Sequence, residues 1–400
     1  MDAMSHHHDP GRRRFLKASL AVGTLAGAGA LSGLQRRACA RSAALVAPPE
    51  RRTRHVVLIA FAGGVRTRET FGTPQNVPNL RAMAEEGVLY PRTRTANLGH
   101  FGAALSIFTG VSEARGIREN ERGGDPTLFE YLRKHAGLAA GDVWITTSGG
   151  AQQVNYSYGL HPDYGREYGA NTLDGDGIFN REFEQVLARL GRPREMEADE
   201  KALLLRLRAS LGSDSDVGGR TGALNDAESA ARVEQYILDE LTRGTADVRG
   251  ANAGDAKALR VARNLVALFK PRLTAVVLQN ADIAHGSYNG YVEVVRRNDA
   301  MIGELWAAVK ADPALADSTA FFVLPEFGRD RDLNSRRGLD HGDGSDDLQL
   351  VSTVAWGPDF RRGVVVDEAV RTIDVTPTIC ELFGTDARKA KGKRLGGLLA

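Results

Sequence analysis

The sequence predicts an α/β fold around a mostly parallel sheet, and three observations carry that expectation. The runs His55–Phe61, Leu273–Leu278 and Thr319–Leu324 are strand-length and continuously apolar, as strands covered on both faces are. Stretches with helical spacing and helix punctuation lie between such runs. Each run stops at glycine or at polar residues, which is where an open α/β sheet forms a ligand site.

The whole-chain composition narrows the class. At 400 residues the chain is long for one domain, yet α/β folds that carry an insertion reach this length. Lys plus Arg total 52 and Asp plus Glu 50, a balance that argues against a nucleic-acid surface, which needs clustered excess basic charge. The 45 glycines point to many tight turns.

Residues 1–40 read as a twin-arginine export signal. Arg12-Arg-Arg-Phe-Leu-Lys17 precedes an uncharged Ala/Gly-rich stretch from Ala18 to Leu34, and Ala38-Cys-Ala40 has the small-residue spacing a signal peptidase accepts. The expected partner is the twin-arginine export machinery, and the expected location is periplasmic or secreted. Spanning a bilayer takes roughly 20 strongly apolar residues, and this core is too weakly apolar to stay as a stable anchor after cleavage. Arg36 and Arg37 argue against a lipid anchor on Cys39. Cleavage after Ala40 leaves Cys380 alone, so no internal disulfide is expected. The basic, Pro-containing residues 41–54 read as a linker to a domain over 55–400.

Along that domain, the first strand empties into Ala62-Gly-Gly-Val-Arg66, where paired glycines let the backbone approach a ligand. Val77–Gly87 has Pro78 near its start and Leu80, Met83 and Ala84 at helical spacing, and Val88–Tyr90 follows as a short strand. A polar loop from Asn97 leads into an apolar helix that stops at Gly110, and the free amides of its first turn attract phosphate or sulfate beside His100. Thr127–His135 reads as a helix and Asp142–Thr147 as a strand. Between about 149 and 255 the composition shifts to Gly, Asp, Arg and Glu with helical patterns, an insertion that would cover the site. Tyr156, Tyr158, His161 and Tyr164 near its start either line a pocket or pack down locally.

The metal candidates come next. Asp282 and His285 follow the strand Leu273–Leu278, and Asp with His at a parallel strand end is an oxygen and nitrogen pair suited to zinc or iron. Tyr291–Lys310 reads as a long amphipathic helix whose Asp299 serves packing or capping. After Thr319–Leu324, one short loop carries Glu326, Arg329, Asn334, Asp340 and His341, a mixture that suits a divalent cation beside an anionic substrate. The competing reading is a loop whose charges pair with one another. Leu350–Trp356 and Gly363–Val366 read as strands, and Arg371–Gly384 as a helix capped by Asp374 or Thr376.

The order of these pieces resembles the alkaline phosphatase and sulfatase superfamily. The likeness is carried by Pro78-Asn-Leu, Glu86-Gly-Val, the helix closing in Thr109-Gly110, and the final Arg371–Gly384 segment. The segment Glu326-Phe-Gly-Arg329, with Asn334 and Gly338-Leu-Asp-His341, is similar to a secreted branch that also opens with Gly-Gly and a following acid, a slot that Glu69 fits. The resemblance implies a three-layer α/β/α sandwich and a hydrolase of phosphate or sulfate esters using one or two divalent ions, zinc first. It implies Asp282, His285, Glu326, Asp340, His341 and Glu69 as metal ligands. His100 falls at the nucleophile position with Asn97 close by, Gly63 stands where a metal-binding Asp is usual, and Arg329 would stabilise charge on the equatorial oxygens. With no hydroxyl aligned, attack would come from metal-activated water or, atypically, from His100, on a small anionic ester. The alternative is a non-catalytic periplasmic binding protein that keeps the fold.

Overall fold

The computed structural model describes residues 51–113, 122–148, 155–174 and 253–400. The expected export signal, most of the expected linker and the bulk of the expected insertion lie outside the described residues.

Among the described residues one sheet contains β1 (His55–Phe61), β2 (Val88–Arg94), β3 (Val143–Thr147), β4 (Asn171–Asp174), β5 (Leu273–Leu278), β6 (Thr319–Pro325), β7 (Leu350–Trp356), β8 (Val364–Val365) and β9 (Val370–Arg371). The helices are α1 (Pro78–Glu85), α2 (His100–Thr109), α3 (Leu128–His135), α4 (Gly254–Phe269), α5 (Tyr288–Ala311), α6 (Asp346–Gln349) and α7 (Val375–Leu382). The strand order is β4-β3-β5-β1-β6-β7-β2-β8, with β9 beside β2. β1 pairs in parallel with β5 and β6, β3 with β5 and β4, and only β7 runs against its neighbours β6 and β2. Consequently β1, β2, β5 and β6 all end at one edge of the sheet.

Residues along β1 point alternately to two cores. Val56, Leu58 and Ala60 join Phe101, Leu105 and Phe108 of α2, Leu128 and Tyr131 of α3, and Ile379 of α7. Val57, Ile59 and Phe61 join Leu80 and Met83 of α1, Leu259 of α4, and Tyr291, Ile302 and Leu305 of α5. Two helical layers therefore cover the sheet, which is the expected α/β/α sandwich, and coverage of both faces is why the central strands are continuously apolar.

The elements depart from expectation in three places. β2 runs on to Arg94, because the pairing with β7 that breaks after Tyr90 resumes at Thr93 opposite Val351; Pro91 lies in the gap and has no N–H to donate. Residues 171–174, inside the expected helical insertion, form β4, which pairs with β3 over Trp144–Thr147. At the end of the expected linker, Thr53 is buried and gives its N–H and hydroxyl to Asp359 at 2.8 and 2.7 Å. Asp299 caps α1 from across the core, accepting from the amides of Asn79 and Leu80 at 3.1 and 2.8 Å.

Leu58 is completely buried where β1 meets α2. Leu58→Ala should lower unfolding free energy by about 2–5 kcal/mol in urea titrations, and a change below about 1 kcal/mol would show that this core repacks.

Candidate metal centre

Four pieces of chain meet at the carboxyl edge of the sheet: the Ala62-Gly63-Gly64 turn after β1, the 3-10 turn Asn280–His285 after β5, Glu326–Arg329 after β6, and His100 at the start of α2. Their approach is close. A Cβ on Gly63 would lie 2.5 Å from the Gln279 carbonyl oxygen and 2.7 Å from the Asp282 nitrogen, so this position has room only for glycine.

Three imidazoles converge there. His100, His285 and His341 each offer a ligand atom, and these atoms lie within 4.8 Å of one another. Each ring is oriented by its Nδ1. His100 Nδ1 lies 2.5 Å from Glu326 Oε1, His285 Nδ1 2.7 Å from Asp340 Oδ1, and His341 Nδ1 3.1 Å from the Leu98 carbonyl oxygen. In His285 and His341, partners that accept a proton put the hydrogen on Nδ1 and leave Nε2 as the lone-pair atom, the arrangement seen behind metal-ligating histidines. The residues fit a cation by a further observation: Glu326 Oε2, on the carboxylate that holds His100, is buried and has no hydrogen-bond partner among the described residues. His100 Nε2 is ion-paired with Asp282 Oδ1 at 2.9 Å, so a metal ion there would take the place of a proton.

Arg329 does not have the role expected for it. Its side chain is fully buried, and Nε donates to the Gly64 carbonyl, Nη1 to His285 Nε2 and the Leu339 carbonyl, and Nη2 to the Gly63 carbonyl and Asp282 Oδ1. All five N–H groups are used, so none is left for a substrate oxygen, and the guanidinium instead locks Asp282 to His285. Glu69 is also drawn away from the metal set: it is buried against Arg66 through both oxygens, at 2.5 and 2.7 Å, and accepts from Tyr288. Asn97 is turned to its own loop, giving its amide to the Glu113 carbonyl and accepting from the Gly99 amide at 2.9 Å. Asn334 holds the turn carbonyl of His285 at 3.1 Å. Glu326 and Asp340 stand behind histidines rather than facing the imidazole cluster directly. The aromatic residues of 156–164 pack locally, Tyr156 stacking on Phe101 and Tyr164 meeting Tyr131 and His161.

The electrostatics separate the imidazoles. Burial alone would lower the His100 pKa, but the Glu326 and Asp282 carboxylates override it and push it up to about 9. Burial, reinforced by the positive His100 and Arg329, lowers His341 to about 4, so this ring is neutral and ready to ligate. Burial also opposes the charge on Asp282, yet His100 and Arg329 outweigh it and hold its pKa well below the usual carboxylate range.

With this geometry in view, solved structures give the frame. Alkaline phosphatase PafA superposes with a TM-score of 0.56 at 10% identity, covering 88% of this chain and 100% of that one. The chain has the alkaline-phosphatase fold. A mutant of the same phosphatase matches at a TM-score of 0.57 and 10% identity over the same shares of both chains. Ps i-CgsB matches at 0.50 and 14% identity, over 85% of this chain and 75% of that one. No protein-family model matches the sequence, and no curated protein matches it either.

Two orienting groups escaped the sequence: the Leu98 carbonyl behind His341, and Asp255 behind the Asp282–His285 turn. A backbone carbonyl leaves no trace in residue type, and an Asp opening a helix reads as a complement to the helix dipole.

If His100 ligates, a metal ion must displace its proton. Zinc affinity, measured by competition with a chromophoric chelator, should therefore fall about tenfold per pH unit below pH 9. An affinity that is flat between about pH 6 and 8 would remove His100 from the ligand set.

Proposed function

We propose that this protein is an exported, metal-dependent hydrolase of small anionic phosphate or sulfate esters. The observation that carries the reading is the three-imidazole group of His100, His285 and His341 at the carboxyl edge of an alkaline-phosphatase-like sheet. His100, His285 and His341 would hold the ion, and an imidazole set of this kind suits zinc. A bound divalent ion supplies Lewis-acid polarisation of an ester oxygen.

The chain's own residues supply the rest. The first-turn amides of α2 offer a seat for the anionic group. Glu326 and Asp340 fix the His100 and His285 rings, and Arg329 holds Asp282 in place. His100 serves as ligand rather than nucleophile in this reading, since it is one of the three imidazoles whose ligand atoms lie together. Charge balance favours a single ion. Asp282, Glu326 and Asp340 oppose the one Arg329 guanidinium, so with neutral imidazoles two negative charges remain for one divalent cation to cancel. Export rests on the twin-arginine pattern of Arg12–Lys17, and the periplasm or the exterior is the proposed location.

One observation favours a second reading, a binding protein without catalysis. His285 Nε2 and Asp282 already accept from Arg329, at 3.1 and 2.6 Å, so the charges of the site are partly satisfied from within.

Elemental analysis of residues 41–400 together with assays on nitrophenyl phosphate and nitrophenyl sulfate separates the two. The expected result is about one zinc per chain and turnover of one ester, with His341→Ala losing at least about tenfold in zinc affinity and essentially all turnover while keeping its circular dichroism. A folded chain with neither metal nor turnover would support the binding reading.

A further inference from the structure

Asp255 opens α4 with its side chain completely buried, and three of its hydrogen bonds go to Gln279 and Asn280 beside the site. Its Oδ1 accepts from the Ser148 hydroxyl at the end of β3 and from the amides of Gln279 and Asn280 at 2.8 and 3.0 Å. Its Oδ2 accepts from Asn298 Nδ2 of α5 at 2.7 Å, and its own amide donates to Asn280 Oδ1 at 2.8 Å. Ser148 reinforces the clamp by accepting from the Gln279 amide at 2.9 Å. Gln279 and Asn280 lead directly into the turn that carries Asp282 and His285.

We propose that Asp255 is a positioning residue of the candidate centre: one buried carboxylate ties β3, α4 and α5 to the start of the Asn280–His285 turn, and so sets where Asp282 and His285 stand relative to His100 and Arg329. A buried carboxylate is costly unless its lone pairs are filled, and four donors fill these. Glu130 is the contrasting case. It too is buried and accepts from backbone amides, those of Thr127, Gly159 and Gly165, but none of these reaches the imidazole cluster. A difference between the two carboxylates therefore separates positioning from mere structural support.

The test has two readouts, and only the second rests on the metal reading. The first is the His285 imidazole in metal-free protein, observed by nitrogen-15 NMR. In the wild type the Asp340 carboxylate beside Nδ1 and the Arg329 guanidinium beside Nε2 favour the tautomer with its proton on Nδ1. Asp255→Ala should release the turn and mix the two tautomers. Asp255→Asn should preserve the single tautomer, because its oxygen still meets both amides and its new N–H can be accepted by Asn298 Oδ1, which is buried without a partner and becomes available by an amide flip. The second readout is zinc affinity, which should drop about tenfold in Asp255→Ala and recover in Asp255→Asn. Glu130→Ala should lower stability while leaving both readouts at wild-type values.

A folded Asp255→Ala with unchanged His285 signals overturns the proposal, as does a Glu130→Ala that shifts them equally. Should Asp255→Ala not fold, Asn298→Ala, which removes one donor to the carboxylate, takes its place with the same two outcomes. A wild type that binds no zinc sinks the metal reading, and the imidazole signals still decide the role of Asp255.

Discussion

A guanidinium without access to water is tolerable only when every donor is met, and the arrangement of this site follows from meeting those of Arg329. Its acceptors come from the Gly63-Gly64 turn, from Asp282 and His285, and from Leu339, three separate stretches of chain that would otherwise leave the sheet independently. Removing the guanidinium would take a donor from the Gly63, Gly64 and Leu339 carbonyls and leave the Asp282 carboxylate to its histidine neighbours, a loss spread over several hydrogen bonds. The same demand explains Gly63. Its carbonyl accepts from Arg329 while its α-carbon rests against the Gln279 and Asp282 backbone, and a side chain would force the two turns apart.

The imidazoles depend on this frame but differ from one another. His100 lies between two carboxylates and holds its proton, whereas His341 faces positive neighbours with only a carbonyl behind it and is neutral. Neighbouring titratable groups whose surroundings push them apart characterise sites that handle protons or metals. In the proposed site a divalent ion would have to compete with a proton for His100. Arg329 stands beside the imidazoles as a fixed positive charge, paired with Asp282.

Support for the site extends back into the fold through polar residues that sit in the core. Asp255 draws together two strand ends and two helices, Asp299 caps α1 from α5, and Thr376 of α7 gives its hydroxyl to the α2 carbonyls of Ile107 and Phe108 at 2.7 and 3.0 Å. Each fixes a helix by directional bonds that apolar packing does not supply, and the Thr376 contact anchors the helix that begins with His100.

Much of the architecture was legible from residue pattern alone. Continuous apolar runs announced β1, β5, β6 and β7, and polar residues where three of them stop announced the edge at which Asp282, His285, Glu326 and Arg329 gather. Burial of a strand on both faces, and the crevice beyond a parallel strand end, are properties of short segments, so they are written locally. Which charge answers which is not local. That Arg329 is spent on Asp282 and His285, that Glu69 belongs to Arg66, that Glu326 stands behind His100, and that His341 joins the cluster through Leu98 depended on distances between residues far apart in the chain. Only the packed sheet and its helices set those distances, because a charged side chain takes its role from whatever the fold brings within hydrogen-bonding reach.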